Sequence, residues 1–308
     1  MNSHKFLGMA LLCLVFSYTH AQHDNNWHFG QWAGLTFTSG TAEAITNSAL
    51  STVECSASIS DADGNLLFYT NGRVLYNKNN QNMAPGTMLF GDHSSSQGAI
   101  IVPRPGMPNR FFIFTADDAG GENGLHYTEV DMTLNEGLGG IVSLNNPLVT
   151  PVCEKVAAVF HANGTDIWVA THHWGSNAFY SYLITEDGVN AEPVISNTGI
   201  VIEGANNSGR YSGNMAFSPD GSRLAIVNYN IGSQLFDFDT STGILSNAAT
   251  FFNGEAYGVA FSPSGNGLYL STEGSLLQFQ ADAEIIPASE IEISGQVDRC
   301  GLRLGPDG

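Results

Sequence analysis

Two segments of this chain, residues 214–228 (NMAFSPDGSRLAIVN) and 258–272 (GVAFSPSGNGLYLST), share one pattern: a short apolar strand, a Ser-Pro-(Asp/Ser)-Gly turn and a second alternating strand. Looser copies precede them at residues 56–70, 99–115 and 157–172, and a sixth begins at GLRLGPDG, residues 301–308. The turn explains the likeness. Pro presets φ, Asp or Asn bonds back to its own backbone, and Gly accepts the positive φ that closes the hairpin. With Gly64, Asn109, Gly164, Gly221, Gly265 and Gly308 as markers, the steps are 45, 55, 57, 44 and 43 residues. Such steps fit four-stranded antiparallel blades, whose period in β-propellers is about 40 to 50 residues.

The remaining strands fall between the markers. Residues 73–79, 124–132, 178–189 and 234–245 are short, alternate apolar with polar positions and end in Gly, Asn or Asp. No stretch shows helical periodicity with caps. The sequence therefore predicts an all-β propeller over residues 22–308, with about five complete blades and part of another. Residues 27–40 precede the first unit and are expected to lend an outer strand to the last blade, a closure that removes exposed edges. Because the last copy stops at its turn, the chain reads as a truncated piece of a parent with six or seven blades.

Composition supports this and excludes other classes. Gly contributes 35 residues, and only 13% of the chain is charged, which suits strands joined by tight turns. A net charge of -19, with no Lys/Arg run, argues against nucleic-acid binding. Residues 1–21 read as a secretory signal, with Lys5 before the apolar run FLGMALLCLVF and a cleavage site at Thr19-His20-Ala21. No segment reaches the roughly 20 apolar residues of a spanning helix. The mature protein is thus expected to be secreted or displayed on the outer cell surface. Cys55, Cys153 and Cys300 remain after cleavage, too far apart for zinc-ligand spacing, and are read as small buried hydrophobes.

The ordered motifs NNWHFGQWAGLTF, CSASISDADGNLLFYTNGRVLYNKNNQNM, SSSQGAIIVPRPG, EKVAAVFHANGTDIWVATHHWGSNAFYSYLITEDGV, YGVAFSPSGNGLYLS and LRLGPDG resemble the N-terminal propeller of large secreted proteins of the Bacteroidota. The resemblance covers residues 25–308. It implies a parent with PKD or other immunoglobulin-like modules and a type B sorting domain for type IX secretion, often labelled gliding-motility-associated, which is absent from this chain. It also implies a surface module for binding or adhesion, with no catalytic residues to carry over.

Few residues suggest chemistry. His161 with His172 and His173 could hold a metal, but neighbours on a strand face opposite ways and no paired carboxylate completes a shell. Asp61-Ala62-Asp63-Gly64-Asn65 lacks calcium-loop spacing and reads as a hairpin turn. Asp117, Asp118 and Glu122 form an acidic loop, and paired carboxylates serve glycoside hydrolysis only at the right separation. Ser94, Ser95 and Ser96 form no nucleophile elbow. Trp27, Trp32, Trp168, Phe111, Phe112 and Tyr180 are expected between blades.

Trp174, His172, Arg210 and Tyr211 are the ligand-binding candidates, with no metal, cofactor or catalytic residue expected. The sequence thus favours a non-catalytic module whose loops or channel mouth bind a protein or polysaccharide. The alternative is a lactonase- or glycosidase-type propeller enzyme, which requires carboxylates and histidines of several blades to converge at one mouth. A third reading is a passive spacer.

Overall fold

The Gly-marked turns fold alike. Gly64, Gly164, Gly221 and Gly265 have φ between +73° and +84°. Each donates its N–H to the carbonyl three residues earlier, at Asp61, His161, Ser218 and Ser262. In the second copy the turn glycine is Gly106, with φ +72°. The expected marker, Asn109, lies inside the following strand instead. A turn of this kind needs only a residue tolerant of positive φ, and Gly106 meets that need before Asn109 is reached.

The computed structural model describes residues 22–205 and 209–306. The signal segment, residues 1–21, lies outside the described residues, as do the last two residues of the sixth turn. The strands form six antiparallel sheets arranged in a ring, a six-bladed β-propeller. The first sheet holds β1 (Asn26–Phe29), β2 (Ala33–Thr36) and β3 (Glu43–Ile45), and the second β4 (Ala57–Ser60), β5 (Leu66–Thr70) and β6 (Leu75–Asn77). The third holds β7 (Ala99–Arg104), β8 (Met107–Ala116), β9 (Leu125–Asp131) and β10 (Gly140–Val149). The fourth holds β11 (Val152–Phe160), β12 (Ile167–His173), β13 (Ser176–Thr185), β14 (Gly188–Val189) and β15 (Val194–Ile202). The fifth holds β16 (Met215–Phe217), β17 (Arg223–Asn228), β18 (Gly232–Asp239) and β19 (Ile244–Phe252). The sixth holds β20 (Ala256–Phe261), β21 (Gly267–Thr272), β22 (Leu276–Gln280) and β23 (Ile291–Ser294).

The first sheet corrects one expectation. Residues 27–40 do not extend the last blade: β1 and β2 pair with each other in a sheet of their own, and β23 pairs only with β22. The tight turn at residues 30–32, with positive φ at Gly30 and Trp32, folds this segment back on itself, which satisfies its backbone locally. Side chains close the ring instead. Ser271 Oγ donates to Cys300 O at 2.5 Å, Arg303 forms an ion pair with Asp24, and its guanidinium lies 5.2 Å over the Trp27 ring.

The core sits between blades. Aromatic pairs bridge neighbouring sheets edge to face: Phe68 with Phe111, Phe179 with Phe236, and Phe251 with Phe279. Such pairs add about 0.5–1.5 kcal/mol each beyond their buried area. Trp168, 4% exposed, packs over Gly243 and donates its indole N–H to Thr240 O at 2.8 Å, tying the fourth blade to the fifth. The three cysteines are free: Cys55 and Cys153 are buried as expected, whereas Cys300 is exposed. It follows the last strand, on the segment whose backbone is held by Ser271 of the sixth sheet.

A belt of hydrogen bonds around the channel links the inner strands at one end. Glu54 N and Cys55 N donate to His93 O, Gln97 N to Glu154 O, Glu154 N to Tyr211 O, and Asn214 N to Tyr257 O. Lys155 reinforces it from inside. Its fully buried ammonium donates to Ser212 O, Val227 O and Asn228 Oδ1 at 3.0, 2.6 and 3.0 Å. Burial holds this amine down at about 8.

Two predictions test these joints. Trp168→Phe, which keeps a ring but loses the indole donor, should lower unfolding free energy by about 1–3 kcal/mol, measured by denaturant titration, and a smaller change would show the joint to be dispensable. The Lys155 amine binds its proton less tightly folded than unfolded, so its contribution to stability rises with pH between about 8 and the unfolded value of ~10.4. Across that window the wild type should gain stability relative to Lys155→Met, and parallel stability curves would contradict this.

Candidate functional site: the acidic channel mouth

The channel end ringed by the hydrogen-bond belt is where inner strands begin and where chemistry-bearing side chains meet. Glu54, Ser96 and Ser212 stand three residues before β4, β7 and β16, and Glu154 stands three before Ala157 on β11. Equal register on equivalent strands brings them to one level of the ring. Asp92 and His93 come from the segment before β7, Asp117 and Asp118 from the loop joining β8 to β9, and Tyr257 from β20.

Glu154 is the hub. It is 3% exposed, and its carboxylate accepts from Ser96 N (3.0 Å), Ser96 Oγ (2.9 Å), Ala119 N (2.9 Å) and Ser212 Oγ (3.4 Å). Ser96 Oγ also accepts from Gly213 N at 3.0 Å. Burial raises the Glu154 carboxyl above its ordinary value, while these donors pull it back. With both oxygens engaged, Glu154 binds three loops together.

Glu54 is the accessible acid. Its neighbour Val53 is 68% exposed, and Glu54 is itself exposed. The crowding of its carboxyl nevertheless raises its pKa, against the pull of the Tyr257 hydroxyl and Arg299. Tyr257 turns its hydroxyl toward Glu54 and Ser96, yet completes no well-formed hydrogen bond to either, and the oxygen is buried. That hydroxyl is held behind the Glu54 carboxyl. Asp118 is also raised, by burial and then by Asp92 and Asp117. Asp92 Oδ1 lies 2.9 Å from His93 Nδ1, and Asp92 Oδ2 lies 3.6 Å from Arg73.

Trp174 and Tyr211, two of the sequence candidates, meet here edge to face at 5.6 Å. Gly120, with φ +66°, lets the Trp174 ring lie on the Asp117–Asp118 loop: a Cβ there would come within 2.6 Å of it. Tyr211 senses Glu154, Asp118 and Glu54 together, which places it over the acidic cluster. Arg210 stands beside it, with Nη1 donating to Glu203 O at 3.3 Å.

His172 lies elsewhere. Its ring is 1% exposed, packs edge to face on Phe179, and places Nδ1 3.0 Å from His173 O and 3.8 Å from Cys153 Sγ. Burial pushes it down to about 3, so the ring is neutral and sealed in the core. The pairing of His161 with His172 and His173 also fails: β12 separates them, its seven residues spanning about 20 Å. Asp61 is a turn residue, accepting from Asp63 N and Asn65 N. Among the described residues, no group of three His, Cys, Asp or Glu is arranged to hold a metal ion.

Sequence reading missed Glu54, Ser96, Glu154 and Tyr257. The repeat carried a usable signal, a polar residue three positions before the small residue at equivalent inner-strand positions Ala57, Ala99 and Ala157. Tyr257 breaks that spacing.

No protein-family model matches the chain, and no curated protein sequence matches it. Among solved structures it is similar to a Bacteroides uniformis protein provisionally assigned as a 6-phosphogluconolactonase, at 13% identity and a TM-score of 0.51 over 87% of this chain and 79% of that one. It is similar to a Desulfotomaculum acetoxidans protein of unknown function at 15% identity, TM-score 0.51, over 89% and 81%. The periplasmic gluconolactonase of Pseudomonas aeruginosa matches at 16%, TM-score 0.51, over 89% and 77%. At these identities the likeness establishes the propeller fold.

Proposed function

We propose that this chain is an exported propeller module that binds a polyhydroxylated ligand, the end or a loop of a polysaccharide, at the acidic channel mouth. One observation carries the reading: carboxylates and hydroxyls from successive blades converge on one opening beside the Trp174–Tyr211 pair. Carboxylates accept from sugar hydroxyls, and an aromatic face covers the apolar side of a pyranose. Glu54 is the contact group, with the buried Tyr257 hydroxyl behind its carboxyl. Glu154, saturated by its own loops, shapes the floor. The signal-like residues 1–21 support export, and the motif resemblance supports a surface role within a type IX secreted parent.

A second reading has its own support. An accessible carboxyl with a raised pKa beside a tyrosine is also the equipment of acid-base hydrolysis, and two solved structures of similar fold carry lactonase names. On that reading Glu54 moves the proton during opening of a sugar lactone or glycosidic bond.

A glycan array followed by calorimetry separates the two. Binding without turnover is expected, and Glu54→Gln or Trp174→Ala should weaken the captured glycan by about tenfold, the order of one lost charge-assisted hydrogen bond. Turnover of gluconolactone or an aryl glycoside that vanishes in Glu54→Gln would establish the hydrolytic reading. Capture unchanged in both variants would remove the mouth from either.

A further inference from the structure

A cleft of about 460 Å³ between the first and second sheets differs in composition from the rest of the molecule. It lies beside the turn at residues 61–65, the far end of β4 from Glu54, and so away from the acidic mouth. Its volume falls within the ~300–1,000 Å³ typical of small-molecule sites. The chain has 29 Asp and Glu against 10 Lys and Arg, yet none of the twelve residues lining the cleft is acidic and one is Lys78. Five others are asparagines; the amides of Asn26, Asn65 and Asn80 are hydrogen-bonded within the wall, while those of Asn47 and Asn79 are able to donate and accept. Lys78 is exposed and makes no ion pair among the described residues.

The wall supplies a second, independent feature. His28 lines the cleft and is 3% exposed, stacked flat on Tyr69 at 4.0 Å. Its Nδ1 is 2.9 Å from Ser48 Oγ, which accepts from Leu50 N, whereas its Nε2 is buried without a partner. In either tautomer Nδ1 is engaged by Ser48 and Nε2 is left with an unmet hydrogen-bonding role. An orphaned buried polar atom costs stability unless a ligand completes it. Tyr69 in turn donates to Asn80 Oδ1 at 2.8 Å, and Asn80 Nδ2 to Asn47 O at 2.8 Å, so the wall is held in shape before any ligand arrives.

We propose that this cleft binds an acidic saccharide, with the Lys78 ammonium meeting its anionic group, and the Asn47 and Asn79 amides and the His28 Nε2 meeting hydroxyl groups. A lining free of carboxylates in an acidic protein admits a negative charge that the mouth repels. The asparagines add the mixed donor and acceptor pattern that distinguishes a sugar from a bare anion.

Calorimetry and NMR titration of the full chain test this with D-glucuronate, D-galacturonate and galactose 6-sulfate, against D-glucose, D-galactose and acetate. At least one acidic sugar should bind saturably and about fivefold tighter than its neutral parent and than acetate, the order expected of one solvated charge pair. Lys78→Gln, a surface change that leaves the fold intact, should erase that preference, and Asn79→Ala should weaken acidic and neutral sugars alike. Glu54→Gln at the mouth should change none of these affinities, which separates this site from the function proposed above. The proposal is overturned if no acidic sugar binds saturably, if acetate binds as well as the sugars, or if Lys78→Gln keeps the preference.

Discussion

Each inner strand of this propeller pairs on one edge with the next strand of its own sheet, so at the mouth end its other edge must find backbone partners across the ring. The belt from Cys55 to His93, Gln97 to Glu154, Glu154 to Tyr211 and Asn214 to Tyr257 satisfies that need. Buried amides and carbonyls left unpaired would cost far more than any surface contact returns. Because the belt sets how far each strand reaches into the channel, it also sets which side chains stand at the mouth. Lys155 acts on the same joint, spending one buried cation on two carbonyls and an amide oxygen of the fifth blade.

The two candidate sites follow from opposite uses of this frame. At the mouth, equal register on successive inner strands gathers acids, burial raises Glu154 and Asp118, and crowding of its carboxyl raises the exposed Glu54. Glu154 offsets part of the cost of burial through hydrogen bonds to both oxygens, whereas Glu54 stays exposed. At the far end, the first two sheets meet with asparagines and a lysine, and there the acidic surface gives way. The cleft there has no carboxylate in its lining, the opposite of the mouth.

Much of the fold was legible because hairpin turns are local. Asp61, His161, Ser218 and Ser262 each begin a turn whose glycine, three residues on, needs a positive φ, and that demand leaves a mark in sequence. The site was less legible. Trp174 and Tyr211 stood out as aromatic residues beside glycine and arginine, and they do meet. His172 stood out equally, yet its ring faces Phe179 and Cys153, because the strand's alternation sends it inward. Glu54 and Glu154 drew no notice, since single acids in unremarkable contexts gain meaning only when the ring aligns them.

The sequence by itself determined the repeat, the antiparallel sheets and the positions of their turns, because these depend on residues a few positions apart. Only the tertiary structure decided that residues 26–45 make a blade of their own, that Arg303 reaches Asp24, and that Glu154, Ser96 and Ser212 converge. Those contacts join residues from 58 to 279 positions apart. Ring geometry brings them within hydrogen-bond distance, and no local propensity encodes that separation.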